Sequence, residues 1–121
     1  MELIINGFII LFVIWFVYTQ FFPARGVSQI GTDALRKIIK NNNYQLVDVR
    51  TPFEYQANHI KGFKNIPLQQ IKQRHQELSK EKEVVVICQS GMRSNKAARL
   101  LKKVGFQKIT NVRGGMSAWR D

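Results

Sequence analysis

The chain is 121 residues long, with 19 Lys and Arg against eight Asp and Glu for a formal charge of +11, one cysteine and two histidines. That length holds one domain with a modest core; the single cysteine excludes an internal disulfide framework, and one Cys with two His at these separations offers no metal-ligand spacing. The positive charge is scattered, without an arginine-rich run or a nucleic-acid reading motif, so no nucleic-acid partner is expected, whereas anionic small molecules and anionic lipid headgroups suit it.

Residues 3–22 carry no charge and few polar side chains. Twenty residues at about 1.5 Å each cross the roughly 30 Å hydrocarbon layer, so this segment is read as a transmembrane helix. Asn6 at one end and Thr19 and Gln20 at the other suit interfacial depth, with Trp15, Tyr18, Phe21 and Phe22 as an aromatic belt. A cleaved signal peptide would carry Lys or Arg at its start and a small-residue cleavage pattern; this chain has Glu2 and no such pattern. A buried core helix would show an apolar stripe rather than apolarity all round. Every Lys and Arg lies at or after Arg25 together with seven of the eight acids, so 19 − 7 leaves +12 beyond the helix. The positive-inside rule then keeps that flank in the cytoplasm and the N-terminus outside, and a reducing cytoplasm suits an unpaired thiol. Pro23 and Gly26 punctuate a short hinge, which divides the chain into an anchor at 1–24 and a domain at 25–121.

Within the domain, Thr32 is placed as the N-cap of a helix with Ala34, Leu35, Ile38 and Ile39 on one face, stopped by Asn41-Asn42-Asn43. Residues 45–49 form the first buried strand. Pro52 restarts the chain as a short helix over 53–57, and Ile66-Pro67 leads into a helix over 68–78 that turns Ile71 and Leu78 inward. Residues 83–87 are the central strand. Ala97, Ala98, Leu101 and Val104 then repeat at helical spacing up to a stop at Gly105, residues 108–112 supply a last strand, and Gly114-Gly115 opens a short helix ending at Trp119. Strands alternating with helices predict an α/β domain with a mostly parallel central sheet flanked by helices on both faces.

The candidate site lies where the central strand ends. Cys88 closes the apolar run Val84-Val85-Val86-Ile87 and opens Cys88-Gln89-Ser90-Gly91-Met92-Arg93-Ser94, which leads into the next helix. A parallel strand delivers its last residue to the carboxyl edge of the sheet, where the following helix presents unpaired N–H groups and the positive end of its dipole. Such a place binds anions and favours the thiolate form of a cysteine. Ser90 and Gly91 allow a tight loop with inward amides, and Arg93 closes it with a permanently charged fork. The alternative for Cys88 is a small buried hydrophobe at a strand end. Four residues separate Cys88 from Arg93; a cysteine-phosphatase cradle needs a longer loop to surround a phosphate, which argues against phosphoryl transfer.

At this point the chain resembles the single-domain rhodanese family of sulfurtransferases, whose active loop is the short Cys-x-x-Gly-x-Arg form. Three further stretches carry the resemblance: Asp48-Val49-Arg50-Thr51-Pro52-Phe53-Glu54-Tyr55; His59-Ile60-Lys61-Gly62 with Asn65-Ile66-Pro67; and Val112-Arg113-Gly114-Gly115-Met116-Ser117-Ala118-Trp119. Asn58 stands where the family usually has glycine and Phe63 where a small residue is usual, which bears on local turn geometry more than on chemistry.

The resemblance implies a rhodanese-like fold and a sulfurtransferase in which the Cys88 thiolate takes the outer sulfur of a donor such as thiosulfate as a persulfide and passes it to a thiol or cyanide. It implies a substrate loop of Gln89, Ser90, Gly91, Met92, Arg93 and Ser94, with loop amides holding the persulfide charge and Arg93 positioning the donor, and it requires no cofactor. The partners it implies are a small anionic sulfur donor and a thiol acceptor, with a protein as one candidate acceptor. Asp48 and Arg50 end a strand at the same sheet edge, where a catalytic role is open, but the resemblance makes them mainly structural. His59 is open as a general base and is read as a structural hydrogen-bonding residue. His75, beside Lys72 and Arg74, is expected in solvent; Lys96 adds charge at the mouth or lies on a solvated helix face; Gln89 and Met92 are placed on the rim. The alternative to an enzyme is a membrane-tethered persulfide carrier, redox-sensing thiol or interaction module.

Overall fold

The computed structural model describes residues 1–21 and 26–120. The first helix, α1 (Glu2–Phe21), matches the apolar stretch. Pro23 and Arg25 of the expected hinge and domain start, Phe22, and the side chains of Gln20 and Phe21 lie outside the described residues.

The domain is built from β1 (Val27–Ile30), α2 (Thr32–Ile38), β2 (Tyr44–Asp48), α3 (Pro52–Ala57), β3 (Lys64–Asn65), α4 (Ile71–Arg74), β4 (Glu83–Ile87), α5 (Met92–Lys103), β5 (Ile109–Val112) and α6 (Gly115–Ala118). The five strands form one sheet in the order β1-β5-β4-β2-β3, with every pairing parallel.

Successive side chains of a strand point to opposite faces, so a strand covered on both sides needs apolar residues throughout. β4 meets this demand. Val84 and Val86 join Val47, Ala97, Ala98, Leu101 and Phe106 on one face; Val85 and Ile87 join Leu35, Leu46, Ile60, Phe63, Val112 and Met116 on the other. Asp48 of β2 pairs in register with Ile87 of β4, so the loops that follow, carrying Arg50 and Cys88, leave the same sheet edge side by side.

Four local expectations are corrected. Thr32 is the first residue of α2 rather than its cap, which is Gly31, and the Thr32 hydroxyl donates to the Ala118 carbonyl at 3.3 Å. The helix expected over 68–78 is a 3-10 turn at Leu68–Gln70, the single turn α4 and a second 3-10 turn at His75–Glu77; Ile71 is still buried and Leu78 packs on the core from extended backbone. β1 and β3 are additional strands. His75 is half-buried, with its ring perpendicular to that of Phe106 at 6.4 Å between centroids, and is not simply solvated.

The two departures from the family pattern have physical explanations. Asn58 is the C-cap of α3 with φ −168°, extended backbone that any residue adopts. Phe63 is 3 % exposed and fills the second core cluster.

Candidate active site

Cys88 follows β4 directly, and its side chain has no exposed surface. Gly91, the N-cap of α5, has φ +104°. This left-handed conformation suits glycine, and it brings the Gly91 N–H to 3.0 Å from Cys88 Sγ, with sulfur accepting.

Ser94, fully buried in the first turn of α5, places Oγ 3.2 Å from the same sulfur and 3.2 Å from the Gly91 carbonyl oxygen. One hydroxyl proton serves both states of the cysteine. With a thiol, S–H donates to Ser94 Oγ and the hydroxyl donates to Gly91 O; with a thiolate, the hydroxyl turns toward sulfur. Of the amides expected around the sulfur, the one that reaches Sγ among the described residues is that of Gly91.

Asp48 and Arg50 lie under the loop, 0 % and 3 % exposed. Arg50 Nη2 is 2.9 Å from Asp48 Oδ2, Nε reaches both carboxylate oxygens, and the Arg50 backbone N–H donates to Oδ1 at 3.0 Å. The remaining guanidinium donors reach the Asn58 carbonyl at 2.5 Å and Gln89 Oε1 at 3.4 Å. The pair is therefore a buried, hydrogen-bonded strut between the α3 exit and the loop after Cys88. Gln89 is held from the other side as well, donating through Nε2 to Ser117 Oγ at 3.3 Å. Gln89, Ser90 and Met92 are exposed on the loop.

Gly115 lies behind the cysteine. The Met116 N–H donates to the Cys88 carbonyl and the Ser117 N–H to the Gln89 carbonyl, each at 2.9 Å. A Cβ at Gly115 would lie 2.2 Å from Cys88 O, so the closing Gly-Gly element is what lets the single turn of α6 press against the active loop.

Arg93 meets a partner that the residue pattern alone did not reveal. Its Nη1 and Nη2 are 2.7 and 2.9 Å from Glu54 Oε1 and Oε2, a two-pronged ion pair. Glu54 is fixed in turn by a capping box: Thr51 Oγ1 accepts from the Glu54 N–H at 3.2 Å, and Glu54 Oε1 accepts from the Thr51 N–H. The bonded guanidinium holds the Glu54 carboxyl down to about 2, below the ordinary carboxylate range. The Arg93 guanidinium is raised above its ordinary value, chiefly by Glu54 and in smaller part by the charges of Cys88 and Asp48.

His59 is exposed, with Nδ1 2.8 Å from the Tyr55 carbonyl and its ring stacked on Tyr55 at 3.8 Å. It lines a groove of about 560 Å³ with Ile39, Lys40, Ile60, Lys61, Gly62 and Trp119, to which residues 88–94 do not contribute. Lys96 is exposed on α5. Among the described residues no group of three His, Cys, Asp or Glu is placed to hold a metal ion. A polar network absent from the sequence reading lies close to Gly91: Asn111 Nδ2 donates to Gln29 Oε1 at 3.0 Å and Asn95 Oδ1 at 3.2 Å, tying β1, β5 and α5 together.

In this parallel α/β domain a buried cysteine stands at the end of the central strand, its sulfur held by a glycine amide and a serine hydroxyl in a short loop. The model of the rhodanese-like domain matches residues 31–121, and the chain belongs to that family. It is 39 % identical over 97 residues to the "Putative sulfur carrier protein YrkF" of Bacillus subtilis, covering 79 % of this chain and 52 % of that protein. It is 34 % identical over 94 residues to a "Sulfurtransferase" of Allochromatium vinosum, covering 77 % of this chain and 88 % of that protein. A solved rhodanese-like domain protein from Staphylococcus aureus superposes with a TM-score of 0.72 at 33 % identity, covering 78 % of this chain and 93 % of that one.

Proposed function

We propose that this chain is a rhodanese-type sulfurtransferase that works through a persulfide on Cys88. The carrying observation is the sulfur's setting: Cys88 Sγ accepts the Gly91 N–H at 3.0 Å with Ser94 Oγ at 3.2 Å. These donors stabilise a negative sulfur before and after it takes up a second sulfur atom. With thiosulfate as donor, the thiolate attacks the outer sulfur, the Sγ–S bond forms, and the bond to the sulfite sulfur breaks with its electron pair leaving as sulfite. A thiol or cyanide then takes the outer sulfur and restores the thiolate. Splitting the transfer into two displacements is nucleophilic catalysis. The names of the relatives above, one a sulfurtransferase and one a putative sulfur carrier, support sulfur handling.

The test is sulfur transfer by the full chain in mild detergent, with the intact mass followed. Turnover together with one added sulfur on Cys88 is expected, and Cys88→Ser should lose both; turnover retained in Cys88→Ser would remove that residue from the mechanism. The carrier relative favours one second reading, in which the chain loads once and discharges to a protein partner. A persulfide without turnover on small acceptors would select it.

We further propose that α1 anchors the domain in a membrane, with the N-terminus outside and the domain in the cytoplasm. Supporting this, the window Glu2–Thr19 has a mean hydropathy of 2.0 and none of it is buried. Phe12 lies tilted against Trp15 at 6.0 Å and stacked on Phe16 at 6.4 Å, within α1 itself. Arg99 of α5 donates to the Thr19 carbonyl in the last turn of α1, a cation where a helix dipole favours one. Fractionation with the membrane, and a C-terminal reporter active only on the cytoplasmic side, are the expected results.

A further inference from the structure

Arg93 is the one cation between Cys88 and Ser94, and a doubly charged donor reaching the sulfur needs it. Both of its terminal nitrogens are already engaged, at 2.7 and 2.9 Å, by the two oxygens of Glu54. That carboxylate is not free to swing away, because Oε1 also accepts from the Thr51 hydroxyl at 3.0 Å and the Thr51 N–H at 3.2 Å. The two side chains are 33 % and 30 % exposed, whereas Cys88 is fully buried. Arg93 follows Cys88 on the same short loop and feels its charge, so an arriving donor meets a neutralised guanidinium with a carboxylate beside it.

Resting on the sulfur-transfer reading, we infer that Glu54 is a donor-selecting residue, whose carboxylate holds the Arg93 fork against dianions such as thiosulfate and leaves the site to thiol-borne sulfane sulfur. The two donors differ in the charge they bring. Thiosulfate carries two negative charges in, and both leave on sulfite, next to the Glu54 carboxylate. A persulfide reacts through its protonated form R–S–SH, whose terminal sulfur carries no charge: the Cys88 thiolate attacks that sulfur, the Sγ–S bond forms, the S–S bond of the donor breaks, and one charge leaves on the thiolate RS⁻. Like charges across a partly desolvated gap discriminate against the first donor. Glu54 remains ionised throughout, since the guanidinium keeps its carboxyl near 2.

The experiment measures kcat/KM of the full chain in detergent with thiosulfate and with glutathione persulfide, and the ratio between them is the readout. Glu54→Gln keeps an Oε1 acceptor for Thr51, so the α3 cap survives. Removing one like charge at a partly exposed site should raise the thiosulfate-to-persulfide ratio about tenfold, and the rise should vanish in Glu54→Gln/Arg93→Gln. An unchanged or lower ratio in Glu54→Gln would overturn the proposal and leave Glu54 as a support for Arg93. The unmodified protein supplies a second arm independent of the variant's folding: sulfate, an unreactive dianion, should not compete with glutathione persulfide at millimolar concentration, and competition there would also overturn the proposal. If neither donor places sulfur on Cys88, the sulfur-transfer reading fails and the selection with it; loading by both donors with no charge preference removes the role of Glu54 alone.

Discussion

Gly115→Ala tests the support of the active loop most sharply. Gly115 has φ +56°, and an added Cβ would lie 2.2 Å from the Cys88 carbonyl oxygen and 2.9 Å from the Gln89 carbonyl carbon and oxygen. Those atoms are backbone, so no side chain can rotate out of the way. The left-handed conformation costs a non-glycine residue about 1 kcal/mol. Relieving the overlap adds about 1–3 kcal/mol, and separating the turn from the loop breaks at least one of the hydrogen bonds to Cys88 O and Gln89 O, at about 1 kcal/mol each. The sum is about 4 kcal/mol, or roughly 15–30 °C in Tm for a domain of this size. Gly91→Ala is the control: φ is +104°, but its Cβ would meet nothing closer than 3.6 Å, so it incurs the conformational cost alone, about 1–2 kcal/mol. Urea unfolding of the full chain in mild detergent, followed by circular dichroism, gives both losses. A Gly115→Ala loss within about 1 kcal/mol of the Gly91→Ala loss would refute the claim that this turn is pressed against the loop.

Arg50→Gln leaves the fully buried Asp48 carboxylate without its counter-charge and should cost about 3–5 kcal/mol; the same unfolding assay checks it, and Asp48→Asn/Arg50→Gln should recover part of the loss. Ser94→Ala removes the hydroxyl 3.2 Å from the sulfur, and one charge-assisted hydrogen bond is worth about 1.5–3 kcal/mol, so Cys88 alkylation by iodoacetamide at neutral pH should slow about 10- to 100-fold with the fold intact. Glu54 sets an acid dependence of definite sign: its folded value, about 2, lies below the ordinary 4.5, so its stabilisation is present above 4.5 and is lost as pH falls toward 2. The unfolding midpoints of wild type and Glu54→Gln should therefore converge across that window, and a constant gap would contradict the assignment.

How much of this was legible in the sequence follows from where the information resides. β4 stood out because both of its faces are covered, which forces the unbroken run Val84-Val85-Val86-Ile87. β1 did not, because it is a four-residue strand that, among the described residues, pairs with β5 alone, and its Gln29 is polar for a tertiary reason, the contacts with Asn95 and Asn111. Ile71 and Leu78 share a helical spacing, yet the segment between them is a single α-turn followed by a 3-10 turn; both side chains reach the core without the helix that would ordinarily connect them.

The same distinction runs through the site. The Cys-x-x-Gly-x-Arg loop is local, so its chemistry and its conformation are written in one short stretch. Glu54 and Arg93 are 39 residues apart, and each has a sufficient local explanation of its own, a capping box with Thr51 for one and a loop cation for the other. Only the parallel register that sets Asp48 beside Ile87 brings the loops after β2 and β4 together. A cation that looks available in the sequence is thereby paired in the fold, and the charge a donor meets at the rim is set by that pairing as much as by the loop itself.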